Sequence, residues 1–304
     1  MEAIVYNEFG GPEVLRHERI GKPEPRAGEV RVKVVAAGVN PLDYKRRYGW
    51  VEEFYPSVFP MVPGLEFAGV VDAVGEGATH VAVGDEVLGW TRTGAYAEYA
   101  IADDIVRKPA GLSFERAASL PVAGETAQRV LDLLRVKAGE TLLVHGAAGV
   151  VGSVAVQLAV AAGITVIGTA SLPNHDYLRA LGAVAVEYGD GLAGRVLAVA
   201  QQGVDAVFDA AGQGVLPLSI ELAGGSAERV VTIADPTAAD HGVLFSGGGT
   251  DPAAIRAGLA EHARLAAEGR LQVRLGEVFA LADAAKAQQL SESGHARGKL
   301  LIRP

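Results

Sequence analysis

Three glycines spaced three apart, Gly146, Gly149 and Gly152, sit in HGAAGVVGSVAVQLA, residues 145–159. An apolar run precedes them and an Ala/Val/Leu-rich run follows. Glycines let the chain turn sharply and let a diphosphate approach without Cβ clashes. A helix opening near Val150 would aim unpaired N–H groups and the positive end of its dipole at that diphosphate. The loop residues Gly146, Ala147, Ala148 and Gly149, with Val150, Val151 and Gly152 after them, are therefore candidate dinucleotide ligands. A plain tight strand–helix turn is the competing reading of the same glycines. Four further strand–helix alternations downstream favour the dinucleotide.

Other residues extend this chemistry. NAD-preferring folds carry a carboxylate about 20 residues beyond the glycines, on the ribose 2′-hydroxyl. Here the second strand ends IGTASLPNHDYL, with Thr169 and Ser171 at its tip and no acid there. A 2′-phosphate would meet hydroxyls without repulsion. Asn174 and His175 add donors where the next helix opens. That pattern predicts NADPH in preference to NADH, although the same Ser171 and Asn174 suit ordinary turn and cap chemistry. Ile233 and Ala234 end the fifth strand, and ligands bind at such carboxyl ends. Asp209 in FDAAG reads as a turn-forming aspartate, with Ala210 beyond it allowing close approach. Phe245 in VLFSGG either walls the nicotinamide pocket or packs as a strand aromatic. His145 reads as a hydrogen-bonded packing residue at a strand end. In the first third, Asn40 is an N-cap candidate, with Asp43 and Tyr44 one turn on. The Tyr44 phenol either bonds a substrate carbonyl or packs as a partly buried aromatic. Lys45, Arg46 and Arg47 read as a solvated helix face.

Two kinds of element must position these groups. The first third is β-rich. EVRVKVVAAGVN alternates Val30, Val32 and Val34 against Arg31 and Lys33, the mark of a half-buried strand. EFAGVVDAVG, GDEVLGW and AYAEYAIADDIV supply more strands. From Thr141, apolar strand-length runs alternate with helices, which implies a parallel sheet covered on both faces. Near residue 250 the pattern breaks, and the last strand KLLIRP is too little to form a domain alone. The expected organisation is a Rossmann-type α/β domain at 122–250, inserted into a β-rich domain made from 1–121 and 251–304. Net charge is −9 and no long basic tract is present, which disfavours nucleic acid and anionic membranes. There is no cysteine, so neither a disulfide nor a thiolate ligand is available. The first residues show no signal peptide and no run is long enough to span a membrane, so a cytoplasmic protein is expected.

Read together, these segments resemble the zinc-independent branch of the medium-chain dehydrogenase/reductase superfamily, the quinone and enone oxidoreductases related to ζ-crystallin. The resemblance rests on AAGVNPLDYKRRYG, PGLEFAGVVDAVGEGATHVAVGDEVLG, GAYAEYA, AASLPVAGETA, HGAAGVVGSVAVQLA and HARGKLLI. It implies a GroES-like catalytic domain beside the doubly wound one, NADPH as hydride donor, and a homodimer. It places Asn40, Asp43 and Tyr44 where the substrate cleft begins. It further implies that Thr126 meets the nicotinamide end, that Tyr188 reaches the 2′-phosphate, and that Gly298 and Lys299 return to the cofactor. Leu172 and Pro173 stand where relatives often carry Lys or Arg. Zinc-dependent relatives carry a His-Glu pair where this chain has Leu65 and Glu66, so no metal is expected. The implied reaction is hydride transfer to a quinone or an α,β-unsaturated carbonyl such as an enone or alkenal. Alternatives are a non-catalytic NADPH-binding protein of structural, regulatory or RNA-associated role, and an enoyl-thioester reductase.

Overall fold

The structure is a computed structural model that describes residues 1–102 and 104–304. The chain divides into two compact units, Met1–Val122 with Pro252–Pro304, and Ala123–Asp251. Among the described residues no helix is long and apolar enough to cross a membrane.

The first unit opens with β1 (Glu2–Val5) paired antiparallel to β2 (Arg16–Arg19). All four residues of β2 are exposed. Only its pairing makes it a strand, which explains why no alternation announces it. The expected alternation appears in β3 (Val30–Gly38), where Val30, Val32 and Val34 are buried and Lys33 is exposed. α1 (Pro41–Arg47) follows, with Asn40 as N-cap and proline at its first position. β3 pairs antiparallel with β4 (Glu66–Val74), and β4 with β5 (Glu86–Trp90). β6 (Tyr99–Ala102) lies on β3, and β7 (Ile105–Arg107) on β5. The expected run AYAEYAIADDIV crosses Asp103, which lies outside the described residues. α2 (Phe114–Ala118), capped by the Ser113 hydroxyl, ends this part.

The second unit begins within α3 (Pro121–Leu134). Strands and helices then alternate: β8 (Thr141–His145), α4 (Val150–Ala161), β9 (Thr165–Ala170), α5 (His175–Ala180), β10 (Val184–Glu187), α6 (Leu192–Val199), β11 (Ala206–Asp209), α7 (Leu216–Leu222), β12 (Val230–Thr232) and β13 (Leu244–Phe245). The strands form one parallel sheet in the order β10-β9-β8-β11-β12-β13. Strand order reverses at β8, and the glycine loop leaves the carboxyl end of that strand. This is the switch point where doubly wound sheets bind ligands. Leu143, Ile167, Val207 and Val230 pack with Leu192, Val196 and Leu216 into the core.

The chain then returns to the first unit through α8 (Pro252–Ala267), β14 (Leu275–Ala280), α9 (Ala284–Glu292) and β15 (Lys299–Arg303). β15 pairs antiparallel with β3 and parallel with β14. The sheet of the first unit is thus completed by the C-terminal strands.

Arg47 corrects one expectation. It is wholly buried rather than part of a solvated face. Its Nε donates to Gly10 O at 3.0 Å, Nη1 to Gln288 Oε1 at 2.5 Å, and Nη2 to Glu292 Oε2 at 3.2 Å. One planar fork therefore ties α1 to α9 and to the loop after β1. Sequence spacing within α1 cannot show this, because every partner is remote in the chain. Arg47→Leu should lower unfolding free energy by about 3 kcal/mol, because it strands buried acceptors. Arg47→Lys should recover only part of that, since the three donors of an ammonium radiate from a single nitrogen and cannot span acceptors spaced for a planar guanidinium fork. Urea midpoints check both; a variant within experimental error of wild type contradicts the assignment.

Candidate functional site

The glycine loop in the second unit is built as a cradle. Gly146 adopts φ +69°, which a side chain resists. Gly149 is the N-cap of α4, and its N–H donates to Gly146 O at 2.9 Å. A Cβ on Gly152 would collide with the Gly146 carbonyl oxygen. The first turn of α4 therefore sits directly over the loop, and its leading N–H groups have no partner within the helix. Ala147 is buried, while Ala148, Val150 and Val151 are partly exposed beside that helix end. A loop with nothing larger than a methyl group between Gly146 and Gly149, below a helix N-terminus, fits an approaching diphosphate.

The neighbouring strand ends carry the other expected residues. Thr169 is buried, and its carbonyl accepts from Ala147 N at 3.1 Å. Ser171 is half-buried, and its hydroxyl accepts from Asn174 Nδ2 at 3.2 Å. His175 is buried with Nε2 3.2 Å from Ala170 O. Its ring therefore steadies the turn after β9. Tyr188 is exposed after β10, and Phe245 is exposed on β13 rather than buried. Thr126, on α3, donates weakly to Glu125 at 3.4 Å.

At the far side of the switch point, Asp209 is wholly buried. Its Oδ1 accepts from Ala211 N and Gly212 N at 2.9 and 3.0 Å. Its Oδ2 accepts from Thr232 Oγ1 at 2.7 Å. Thr232 Oγ1 in turn accepts from Ala234 N and Asp235 N at 3.1 and 3.0 Å. The turns carrying Ala210, Ile233 and Ala234 are thus shaped by Asp209 and Thr232. Sequence reasoning finds the aspartate and misses the threonine. Its signal is a hydroxyl residue three before Asp235 at a strand end.

A second polar cluster lies in the first unit. Asn40, Asp43, Glu66, Tyr96 and Lys299 are all buried. Asp43 Oδ2 accepts from Asn40 N at 2.8 Å, one half of a capping box, and from Tyr96 OH at 2.8 Å. Asn40 Nδ2 donates to Glu66 Oε1 at 2.8 Å, and Asn40 Oδ1 accepts from Lys299 Nζ at 2.6 Å. Lys299 closes an ion pair on Glu66, whose other oxygen accepts from Val122 N at 2.7 Å. The ammonium expected to return to a cofactor is thus bonded inside the first unit. The backbone of Gly298, at φ +99°, packs against Arg274 and Leu275, where a side chain would clash. Gly38 is needed for a related reason, since a Cβ there would strike the Glu66 carboxylate. Sequence reasoning misses Glu66 and Tyr96 as a site. The available clue is an acid heading a strand whose next five residues, Phe67 to Val71, carry no polar side chain.

Tyr44 stands on α1, half-buried, beside an aromatic platform. Trp50 stacks on Tyr48 with centroids 4.7 Å apart, and Tyr44 meets Trp50 edge-on at 6.2 Å. Trp50 remains 64% exposed. Burial, followed by the Glu292 charge, holds the Tyr44 phenol above its ordinary range. It is therefore a protonated donor at neutral pH. Among the described residues no three His, Cys, Asp or Glu side chains converge as a metal site.

Comparison with known proteins is consistent with this geometry. Residues 26–110 match the alcohol dehydrogenase GroES-like domain, and 181–302 match the zinc-binding dehydrogenase model. A quinone oxidoreductase from Coxiella burnetii superposes on the whole chain with TM-score 0.88 and 35% identity, covering 99% of that protein. The chain belongs to the medium-chain dehydrogenase/reductase superfamily, in its quinone oxidoreductase branch. Within that branch, the Escherichia coli quinone oxidoreductase complexed with NADPH matches with TM-score 0.87 and 26% identity over the full length of both chains. Human quinone oxidoreductase is 42% identical over 175 residues, which is 56% of this chain and 53% of that protein. The match thus spans about half the length of this curated relative.

The buried carboxyl of Asp43 has a measurable signature. Desolvation, partly opposed by the Asn40 N–H, the Tyr96 hydroxyl and the Lys299 charge, pushes its pKa from 3.8 to about 6. The folded chain therefore holds this proton more tightly than the unfolded chain. The stabilisation is fully present below about pH 4 and is lost as pH rises through about 6. Relative to wild type, Asp43→Asn should gain up to about 3 kcal/mol of stability between pH 4 and pH 7. Urea unfolding at both values checks this, and a constant difference between the two proteins contradicts it.

Proposed function

We propose that this chain is an NADPH-dependent, zinc-independent oxidoreductase acting on a quinone or an α,β-unsaturated carbonyl. The observation that carries the reading is the loop of glycines and alanines under the N-terminus of α4, at the switch point of the parallel sheet. Bound NADPH would supply a hydride to the electrophilic carbon of the acceptor. The chain's own residues bind and orient. Gly146 to Gly152 hold the diphosphate, and the backbone around Ala210, Ile233 and Ala234 lies at strand ends suited to the nicotinamide. In the first unit, Tyr44 donates a hydrogen bond to the acceptor oxygen as negative charge develops there. The face of Trp50 and its partner Tyr48 favours a planar conjugated acceptor. Without a metal, catalysis rests on positioning and on that hydroxyl. A second copy of the chain is proposed to cover β13, one of the two edge strands of the parallel sheet, where Leu244 and Phe245 are exposed.

Ser171 supports the cofactor preference. Because its oxygen already accepts from Asn174, its own proton is the one a 2′-phosphate would meet. NADPH should bind more tightly than NADH, and Ser171→Ala should narrow the gap about fivefold to tenfold. Titrations at matched ionic strength decide this; equal or tighter NADH binding overturns the preference.

The activity test is NADPH oxidation in the presence of EDTA against a panel of quinones, enones, 2-alkenals and enoyl thioesters. Turnover with a quinone or enone should persist under exhaustive chelation. Tyr44→Phe should lower kcat about tenfold with little change in NADPH affinity. Activity lost to chelation and restored by zinc overturns metal independence. Full turnover by Tyr44→Phe on every acceptor removes Tyr44 from the mechanism.

A further inference from the structure

A polar residue lies at or beside the carboxyl end of four adjacent strands: Thr169 on β9, His145 on β8, Asp209 on β11 and Thr232 on β12. Register sets His145 opposite Asp209, and Asp209 opposite Thr232. All four are buried. Asp209 and Thr232 shape their own turns, as described above. His145 has no role in the mechanism so far, yet it stands one residue before the glycine loop.

Its hydrogen bonds specify its tautomer. Ser219, on α7, gives its single hydroxyl proton to Val215 O at 2.7 Å. The Ser219 oxygen can therefore only accept from His145 Nε2, 3.1 Å away. A neutral ring protonated at Nε2 leaves Nδ1 as an acceptor. That acceptor takes the hydroxyl proton of Thr169 at 3.3 Å. Burial keeps the ring neutral, lowering its pKa to about 4 against the opposing pull of the Asp209 carboxylate. The groups facing the ring are thus Asp209 from β11 and two hydroxyls, Thr169 from β9 and Ser219 from α7. Thr169 is then held at both ends. Its side chain is bonded to β8, and its carbonyl accepts from Ala147 N in the glycine loop.

We infer that His145, as the neutral Nε2–H tautomer, is a positioning residue of the dinucleotide site, locking Thr169 and through it the glycine loop. The inference rests on the dinucleotide reading above. It also divides labour at the ribose end. The Thr169 proton belongs to His145, so of the two hydroxyls only that of Ser171 is left for a 2′-phosphate. Thr169 serves that site by where it holds the backbone.

The test combines ring NMR with binding. In the wild-type protein, ¹⁵N-labelled His145 should show a protonated Nε2 and an unprotonated Nδ1 at neutral pH. His145→Phe and Thr169→Val each break the lock from opposite sides. Each should weaken NADPH binding about tenfold, read by titration of the folded variant. kcat at saturating NADPH should stay within about twofold, because no reacting atom is touched. His145→Gln keeps an uncharged donor and acceptor, and should recover most of the affinity. Thr169→Val tests the idea even where His145→Phe folds poorly. A ring protonated at Nδ1 overturns the inference. So does a folded Thr169→Val variant with unchanged affinity. Wild-type protein that does not bind NADPH overturns the dinucleotide reading, and this inference with it. Wild-type binding with unaffected variants overturns this inference alone.

Discussion

A parallel strand that stops leaves its last carbonyl without a ladder partner, and burial makes that omission expensive. Neighbouring strands here share one solution. Ala147 N donates to Thr169 O, Ala210 N to His145 O, Ile233 N to Asp209 O, and Ser246 N to Thr232 O. In each case the chain leaving a strand is pinned to the strand beside it. The glycine loop and the turns near Ala210 and Ile233 are therefore extensions of the sheet. The backbone groups to which the proposed function assigns a dinucleotide are held in place by the sheet itself, which is what preorganisation requires. The buried side chains of His145, Asp209 and Thr232 add a second layer of support under those turns.

The first unit solves a different problem. It buries Glu66, Lys299, Asp43 and Arg47 in a sheet and helix environment with little water. Isolated, each charge would be strongly unfavourable. Lys299 neutralises Glu66, Asn40 bonds to both, and Arg47 spreads its donors over Gly10, Gln288 and Glu292. Asp43 is desolvated by burial, and its hydrogen bonds from Asn40 and Tyr96 and the Lys299 charge offset that only in part, so its pKa moves upward. The network anchors the N-terminus of α1 from one side and its last turn from the other. Tyr44 lies between those anchors, so its phenol rides on a helix fixed at both ends.

Much of this architecture is legible in the order of residues. The glycine spacing, the alternation in β3, the Asn40-Pro41 and Asp251-Pro252 starts, and the apolar runs from Thr141 onward all report local rules that act over a few residues. Asp209 is readable as a turn former because its partners are two and three residues away. β2 is not readable, since four exposed residues carry no pattern and only the β1 ladder extends them. In the sequence Arg47 reads as part of a solvated helix face and Lys299 as a residue of the motif that returns to a cofactor, and neither reading shows the buried contacts they make. Their partners lie 37 to 245 residues away for Arg47, and 233 and 259 away for Lys299.

By itself the sequence determined the alternation of strands and helices from Thr141 onward, the turn at the glycine loop, and the absence of thiol chemistry, because each follows from residue type and short-range spacing. It also determined the type of loop at Gly146, since only glycine tolerates that backbone and that close approach. The tertiary structure alone decided which buried groups share protons. The tautomer of His145 depends on a serine in α7 and a threonine in β9, and the upward shift of Asp43 depends on the elements that exclude water around it. Such quantities are set by desolvation and by partners brought together across the chain, and no local pattern encodes either.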